Sequence, residues 1–550
     1  MAAMLEGFNG FTTSAVHTVG YGLNSTGALN DLNNPAGGYV PPGELDGIGA
    51  YALNTETVRL FVNHELGNNL GYGYQVSDGD GGSFAMVGAR VSYVDIDTVS
   101  REIVDSGVAY NTIVDANGDI ATSTAFLEND APGFARFCSG ALFEGETYGV
   151  DQGIENTIYF AGEEDGFPFN PIGGAEWALD AETGTLYEVP AMGRGAWENV
   201  TQLNTGTTTH VAFALFDDTS PVDTDGDGND EAAPLYLYVG EKNSGTGGFL
   251  DQNGLENGNL FVWVSDTGET LPSQFNTSGT LDGSFVEIDN SQNVAEASDD
   301  GSTGYDSYGY PIQTNLWNQA NALGSFGFSR PEDGSTNPFD TSEFVFASTG
   351  VDTYDVNPVT GTGSDTFGTV YTMDVDFSDL DNPAAALTIL YDGDADPTRA
   401  LRSPDNVDWA DSGLIYVQED KAENTTLTGV PLFGPGAANP NEAGIVQIDP
   451  NSDELIRIAN IDRSVVLDGS IPNPEDAVDV DAGIVGAWES SGILDVSQLF
   501  GTAPGTTFVA NVQAHGIEDQ TDFNADSRIF DTDLAEGGQM VFLDYDPMIA

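Results

Sequence analysis

The run Phe328-Ser329-Arg330-Pro331-Glu332-Asp333 sets one guanidinium beside two carboxylates in a chain with 13 Lys plus Arg against 88 Asp plus Glu. An arginine fork grips phosphate or carboxylate oxygens in a plane, and a proline stiffens its link to the acids that follow. The segment reads as an anion clamp, Arg330, touching a metal site; a salt-bridged turn is the alternative. Similar donors sit in RFCSGALFE (Cys138), AWENV (Glu198), SPDNVDW (Asp405, Asn406) and AWESSG (Glu489). Carboxylates brought together repel one another unless cations neutralise them. Oxygen ligands suit calcium or an iron-type ion, whereas a thiolate from Cys138 favours a transition metal such as iron or zinc. Alternatively, Cys138 is a small buried apolar side chain.

What could bring these segments together is a circular array of strands. Short runs rich in Val, Phe, Tyr and Thr recur along the chain, broken by acidic or Gly-containing turns, and helical periodicity is confined to brief insertions. One kind of strand ends in a polar cluster: VRLFVNHE (Glu65), NTIYFAGEED (Asp165), HVAFALFDD (Asp218), GLIYVQED (Asp420) and TTFVANVQAHG (Gly516). A second kind carries an aspartate or its substitute after an apolar run, as in VSYVDID, NLFVWVSDTG and QMVFLDYD. Paired in order they make about six units, of which the fourth, EFVFASTG, is the weakest. The expected fold is all-β, a six-bladed propeller with short helical and loop insertions; five or seven blades are the alternatives. Innermost strands of every blade line one channel, so segments distant in sequence would meet at an axis. The whole chain, 1–550, is expected to be one propeller domain, with 1–45 as an N-terminal extension packed on it.

A net charge of -75 argues against nucleic acid and anionic membrane surfaces as partners. The 39% of hydrophobic residues are enough for a core, and 68 glycines mark many tight turns. Cys138 is the sole cysteine, so no internal disulfide is available. No stretch is long and apolar enough to span a bilayer, and the opening MAAMLEGFNGF lacks the features of a classical signal peptide. The sequence contains no GxSxG elbow, Walker loop or dinucleotide fingerprint.

The loop from Asp223 to Glu231 has calcium-loop spacing at Asp223, Asp225 and Asp227 with Gly228 after them, but Pro234 stands where a closing glutamate belongs. It reads as a truncated calcium loop or a plain acidic turn. His64 and His515 end strands of the first kind, where either a site or a structural hydrogen bond would use them.

Taken in order, LFVNHE, an isolated Cys-Ser-Gly, the acidic pair Glu163-Glu164, a Gly-Arg segment ending in Glu198, SRPED, SPDN and a late VQAHG resemble the PhoX-type alkaline phosphatases over about residues 45–520. The resemblance implies a β-propeller phosphatase with Fe3+ and Ca2+ at an axial site, acting on small phosphate monoesters outside the cytoplasm. By motif position it implies metal ligation by Cys138, Glu198, Glu332 and Asp405, with Glu163 or Glu164 near calcium; Glu65, Asp218, Asp223, Asp225 and Asp227 complete the candidate metal ligands. Arg330, Cys138 and Glu332 are the expected catalytic residues, and a monomer is expected. The chain departs from the family at Trp197-Glu198 and at Gln513-Ala514-His515-Gly516, which bears on pocket shape. Rival expectations are a phosphodiesterase-like, phytase-like or phosphotriesterase-like propeller, and a non-catalytic calcium-binding surface propeller.

Overall fold

A computed structural model describes residues 2–549 apart from 21–38, 225, 227, 229, 277–278, 397, 423–424, 453, 468–477 and 519–533. Its antiparallel sheets resolve into six blades. Their inner strands are Leu45–Asn54, Phe137–Phe143, Trp197–Leu203, Pro331–Thr336, Pro404–Trp409 and Glu489–Asp495, and each touches the next around a closed circle in which the sixth meets the first. The expected six-bladed propeller is therefore the observed one. Blades three and four run together as one nine-stranded sheet, because their outermost strands, Thr280–Ile288 and Ala384–Asp392, pair edge to edge. Pairing in this way covers two edges that would otherwise be open.

The strands adjacent to the inner ones, such as Thr57–His64, His210–Asp217 and Thr507–Ala514, are buried along almost their whole length. They lie between neighbouring blades, which explains runs such as VAFALF in place of a simple polar and apolar alternation. Accordingly, the apolar clusters sit between blades. One joins blades one and two around Phe134 and Trp177, and another joins blades three and four around Phe216, Phe328, Phe346 and Tyr371.

The N-terminal segment takes part in closure. Phe11–Thr18 forms the outer strand of blade six against Gly537–Tyr545, and Leu5–Gly7 adds to the outer edge of blade five. Phe11 packs its ring against Tyr416 of blade five and Phe508 and Tyr545 of blade six. The longest helix among the described residues, Gln313–Leu323, belongs to the insertion between blades three and four and stops at Gly324, whose φ of 74° is left-handed. Gln313 and Trp317 on this helix donate to the Asp217 carboxylate, at 2.8 Å each, and so hold the end of a blade-three strand next to Asp218.

Because closure depends on the Phe11 contacts, Phe11→Ala is expected to cost about 3 kcal/mol in denaturant unfolding. A loss below about 1 kcal/mol would mean that the first strand is not integral to the ring.

Candidate functional site

At one end of the channel each blade offers the same three positions. The first is a residue that opens the inner strand: Asp46, Cys138, Glu198, Glu332, Asp405 and Glu489 for blades one to six, all buried. In the first five blades this residue lies within a break in register between the inner strand and its neighbour. A β-bulge of this kind bends the strand and re-aims a side chain, here away from the blade and toward the axis. The second position follows the adjacent strand: Glu65, Glu164, Asp218, Thr349, Asp420 and His515. The third stands two residues before the first: Glu44, Arg136, Ala196, Arg330, Ser403 and Ala487.

One repeated hydrogen bond ties second and third positions together. The amides of Glu65, Glu164, Asp218, Thr349 and Asp420 donate to the carbonyls of Glu44, Arg136, Ala196, Arg330 and Ser403, at 2.9 Å in every case. Four of those acceptor residues, Glu44, Arg136, Arg330 and Ser403, have positive φ between 45° and 68°. Side-chain residues seldom adopt this conformation unless the surrounding structure imposes it.

The ligand-type atoms fall into overlapping groups within 4.8 Å of one another: Asp46, Glu65 and Cys138; Cys138, Glu164 and Glu198; Glu198, Asp218 and Glu332. Asp405 groups with Asp420 and Glu489. Cys138, Glu198 and Glu332 thus form one chain of contacts. Arg330 joins the two sets, pairing with Asp218 at 2.8 Å, Glu332 at 2.9 Å and Asp420 at 3.5 Å. Smaller donors fill in between. Gln513 gives its amide to Asp46 and Glu65, Cys138 Sγ lies 3.3 Å from Asp46, and the Thr349 hydroxyl donates to Glu332.

Several expected residues stand elsewhere. Glu163 points out of the ring and accepts from the Ala135 amide and the Trp177 indole. Asp223 accepts from the amides of Gly226 and Gly228, while Asp225 and Asp227 lie outside the described residues. His64 is a buried structural histidine between the Gly43 carbonyl and Ser92 Oγ. His515 belongs to the site, lying 3.4 Å from Glu489 and 2.6 Å from Glu536.

Burial, followed by repulsion from neighbouring acids, raises the carboxyls of Asp46, Glu198 and Asp405 well above the ordinary range, and burial keeps Glu164 and Glu332 raised against the opposing pull of Arg136 and Arg330. Burial also pushes Glu44 up to about 8 and, with Glu489, Asp420 up to about 7. Glu65 is the exception: burial opposes its charge, but Arg136 and Lys421 hold its carboxyl below the usual value. His515 is raised to about 10, since Glu489 and Glu536 outweigh its burial. Glu198 Oε2 and Asp405 Oδ1 are buried with no hydrogen-bond partner. An unpartnered buried carboxylate oxygen is costly, and a ring of oxygen donors with one sulfur is the donor set that cations would complete. The residues present therefore fit a multimetal site.

The comparisons agree with this geometry. A family model described as alkaline phosphatase PhoX matches residues 160–476, more than half of the chain. The chain belongs to the PhoX family of alkaline phosphatases. It is accordingly a metal-dependent hydrolase of phosphate esters. The PhoX of Pseudomonas fluorescens, solved with vanadate as a transition-state analogue, superposes with a TM-score of 0.59 at 14% identity, over 98% of this chain and 96% of that one. That likeness establishes the fold. A putative 6-phosphogluconolactonase from Bacteroides fragilis covers 85% of this chain and 94% of its own at 8% identity, but its TM-score of 0.28 carries no argument. No curated protein matches.

The raised carboxyls give a pH dependence whose sign is fixed. A carboxyl raised on folding contributes stability below its unfolded value, near 4, that is lost as pH climbs through the folded value. Chelated protein is therefore expected to melt at progressively lower temperature between about pH 5 and pH 8, and added metal ions should release protons and abolish the trend. A melting temperature that rises across this window in chelated protein would contradict the assignment.

Proposed function

We propose that this PhoX-family enzyme hydrolyses small phosphate monoesters at the axial ring, as a monomeric single-domain propeller acting in the periplasm or outside the cell. Within that domain, Leu5–Gly7 and Phe11–Thr18 serve as outer strands of blades five and six. The single observation that carries the site assignment is that pseudo-equivalent positions of all six blades converge on one buried, carboxylate-rich ring with Arg330 over it. No helix is long and apolar enough to cross a membrane among the described residues. One chain supplies every ring position, which supports a monomer.

In this reading Cys138, Glu198, Glu332 and Asp405 hold the metal ions, with Asp46, Glu65, Glu164, Asp218, Asp420 and Glu489 completing the set. Iron suits the end of the ring that includes Cys138, and calcium the groups made of oxygen alone. When bound, the ions supply Lewis acidity toward phosphoryl oxygens. Everything else is done by side chains. Arg330, with 24% of its side chain exposed, has Nε and Nη2 fixed by Asp218 and Nη1 3.5 Å from Asp420. It can orient the phosphoryl group and neutralise charge that builds on its oxygens. The Thr349 hydroxyl and the Gln513 amide hold Glu332, Asp46 and Glu65 in place, so little reorganisation remains when substrate arrives.

Elemental analysis of purified protein, combined with p-nitrophenyl phosphate hydrolysis before and after chelation, tests the reading. Expected are bound iron and calcium, loss of activity on chelation, and much slower turnover of bis-p-nitrophenyl phosphate. Activity that survives chelation, or a preference for the diester, would overturn it. Arg330→Ala should raise KM by about tenfold or more and lower kcat, with metal content intact; unchanged kinetics would remove the clamp. Cys138→Ser should lose iron selectively while keeping calcium, read by elemental analysis.

A further inference from the structure

The channel mouth holds a second guanidinium that the mechanism above does not use. Arg136 stands two residues before Cys138 as Arg330 stands two before Glu332. Both have left-handed backbones, with φ of 46° and 68°. Both give their carbonyl to the amide that follows the adjacent strand, at 2.9 Å. The propeller's internal repeat thus places the same side chain, in the same local conformation, in blades two and four.

Blade three lies between them, and its equivalent residue is Ala196, too short to fill the gap. Arg136, Ala196 and Arg330 line one cleft of about 360 Å³, together with Glu164, Asp218 and the Phe167-Pro168-Phe169 turn. Each guanidinium has one edge anchored. Arg136 donates Nε to Glu65 at 3.0 Å and Nη2 to Glu164 at 2.5 Å, and its Nη1 has no acceptor among the described residues. Its side chain is 43% exposed, more than that of Arg330. Arg330 is anchored on Asp218, and the nearest carboxylate to its Nη1 is Asp420 at 3.5 Å. Two cations, anchored on carboxylates and lining one cleft, are a receptor for a tetrahedral oxyanion.

We propose that Arg136 is a second phosphoryl-binding residue, working opposite Arg330 so that the ester and the phosphate product are held between blades two and four. The proposal rests on the phosphatase reading and deepens it. A merely structural Arg136 would neutralise Glu65 and Glu164, and its loss would show in metal content and melting without a selective effect on phosphate.

The test uses metal-loaded enzyme and three readouts: steady-state kinetics with p-nitrophenyl phosphate, the dissociation constant of inorganic phosphate by calorimetry, and metal content. In Arg136→Ala, KM and the phosphate dissociation constant should each rise by about tenfold or more, with kcat reduced less and metal content unchanged. Arg136→Lys, which keeps the charge and loses the fork, should give an intermediate phosphate affinity and serves if the alanine variant does not fold. Phosphate affinity within twofold of the parent's in a variant with full metal content would overturn the proposal. So would loss of bound metal as the sole effect. Failure of the phosphatase reading shows separately, as absence of phosphate release by the parent enzyme.

Discussion

The structure depends on keeping mutually repelling carboxyls in contact within a buried ring. Two like charges 4 Å apart cost about 4 kcal/mol at an effective dielectric constant of 20. Four such pairs would exceed the roughly 5 to 15 kcal/mol by which a domain is stable. Charge must therefore be removed by protons, by guanidinium groups or by bound cations. Around Glu332 the carboxyl is raised by burial and pairs with Arg330, and its place in a group of ligand-type atoms suits the third device. The closed circle of blades makes the arrangement tolerable: the inner-strand acids are anchored in separate blades whose apolar contacts lie between blades, away from the ring.

Internal repetition explains how one local geometry yields a site with several chemistries. A bulge after the first residues of the inner strand, and an amide to carbonyl bond at 2.9 Å, recur around the ring. Function comes from departures from the repeat. Cys138 replaces a carboxylate in blade two, Thr349 replaces one in blade four and becomes a donor, and His515 does so in blade six. Ala196 opens a space that Arg136 and Arg330 flank. Gln313 and Trp317 show an insertion serving the same end, because their grip on Asp217 fixes the backbone from which Asp218 projects.

Much of this was legible in the chain itself. The donor-bearing segments RFCSG, AWEN, SRPED, SPDN and AWESS mark five of the six inner-strand openings, and each contains the ring residue of its blade. Asp46 escaped because ELDGIG has no unusual residue to flag it, and only the bulge at Leu45 to Ile48 shows that its carboxyl is aimed inward. Arg136 stands inside a motif recognised for its cysteine, and the equivalence with Arg330 becomes visible only through backbone conformation. Glu163 and Glu164 could not be separated, since alternation along a strand assigns opposite faces but not which face meets the axis. The closing role of Phe11–Thr18 was hidden for a different reason. Its partner, Gly537–Tyr545, lies at the far end of the chain, and local pattern does not encode pairings of that range.

The net charge of -75 would lead one to expect that phosphate esters are repelled. Screening limits that effect, because at physiological ionic strength exposed charges act over about 8 Å. What an ester meets at the channel mouth is therefore local. Several of the 13 cations are engaged elsewhere: Arg59 pairs with Asp95, Arg194 with Glu188 and Asp306, Lys242 with Glu155, Arg457 with Glu419, and Arg463 with Asp479. These ion pairs are largely buried and join strands or loops. Arg136 and Arg330 differ in keeping part of the guanidinium exposed over the ring. A chain so poor in cations places two of them at pseudo-equivalent positions around one cleft, the one proposed to receive the ester. The acidic surface, beyond the screening length, has little say in that encounter.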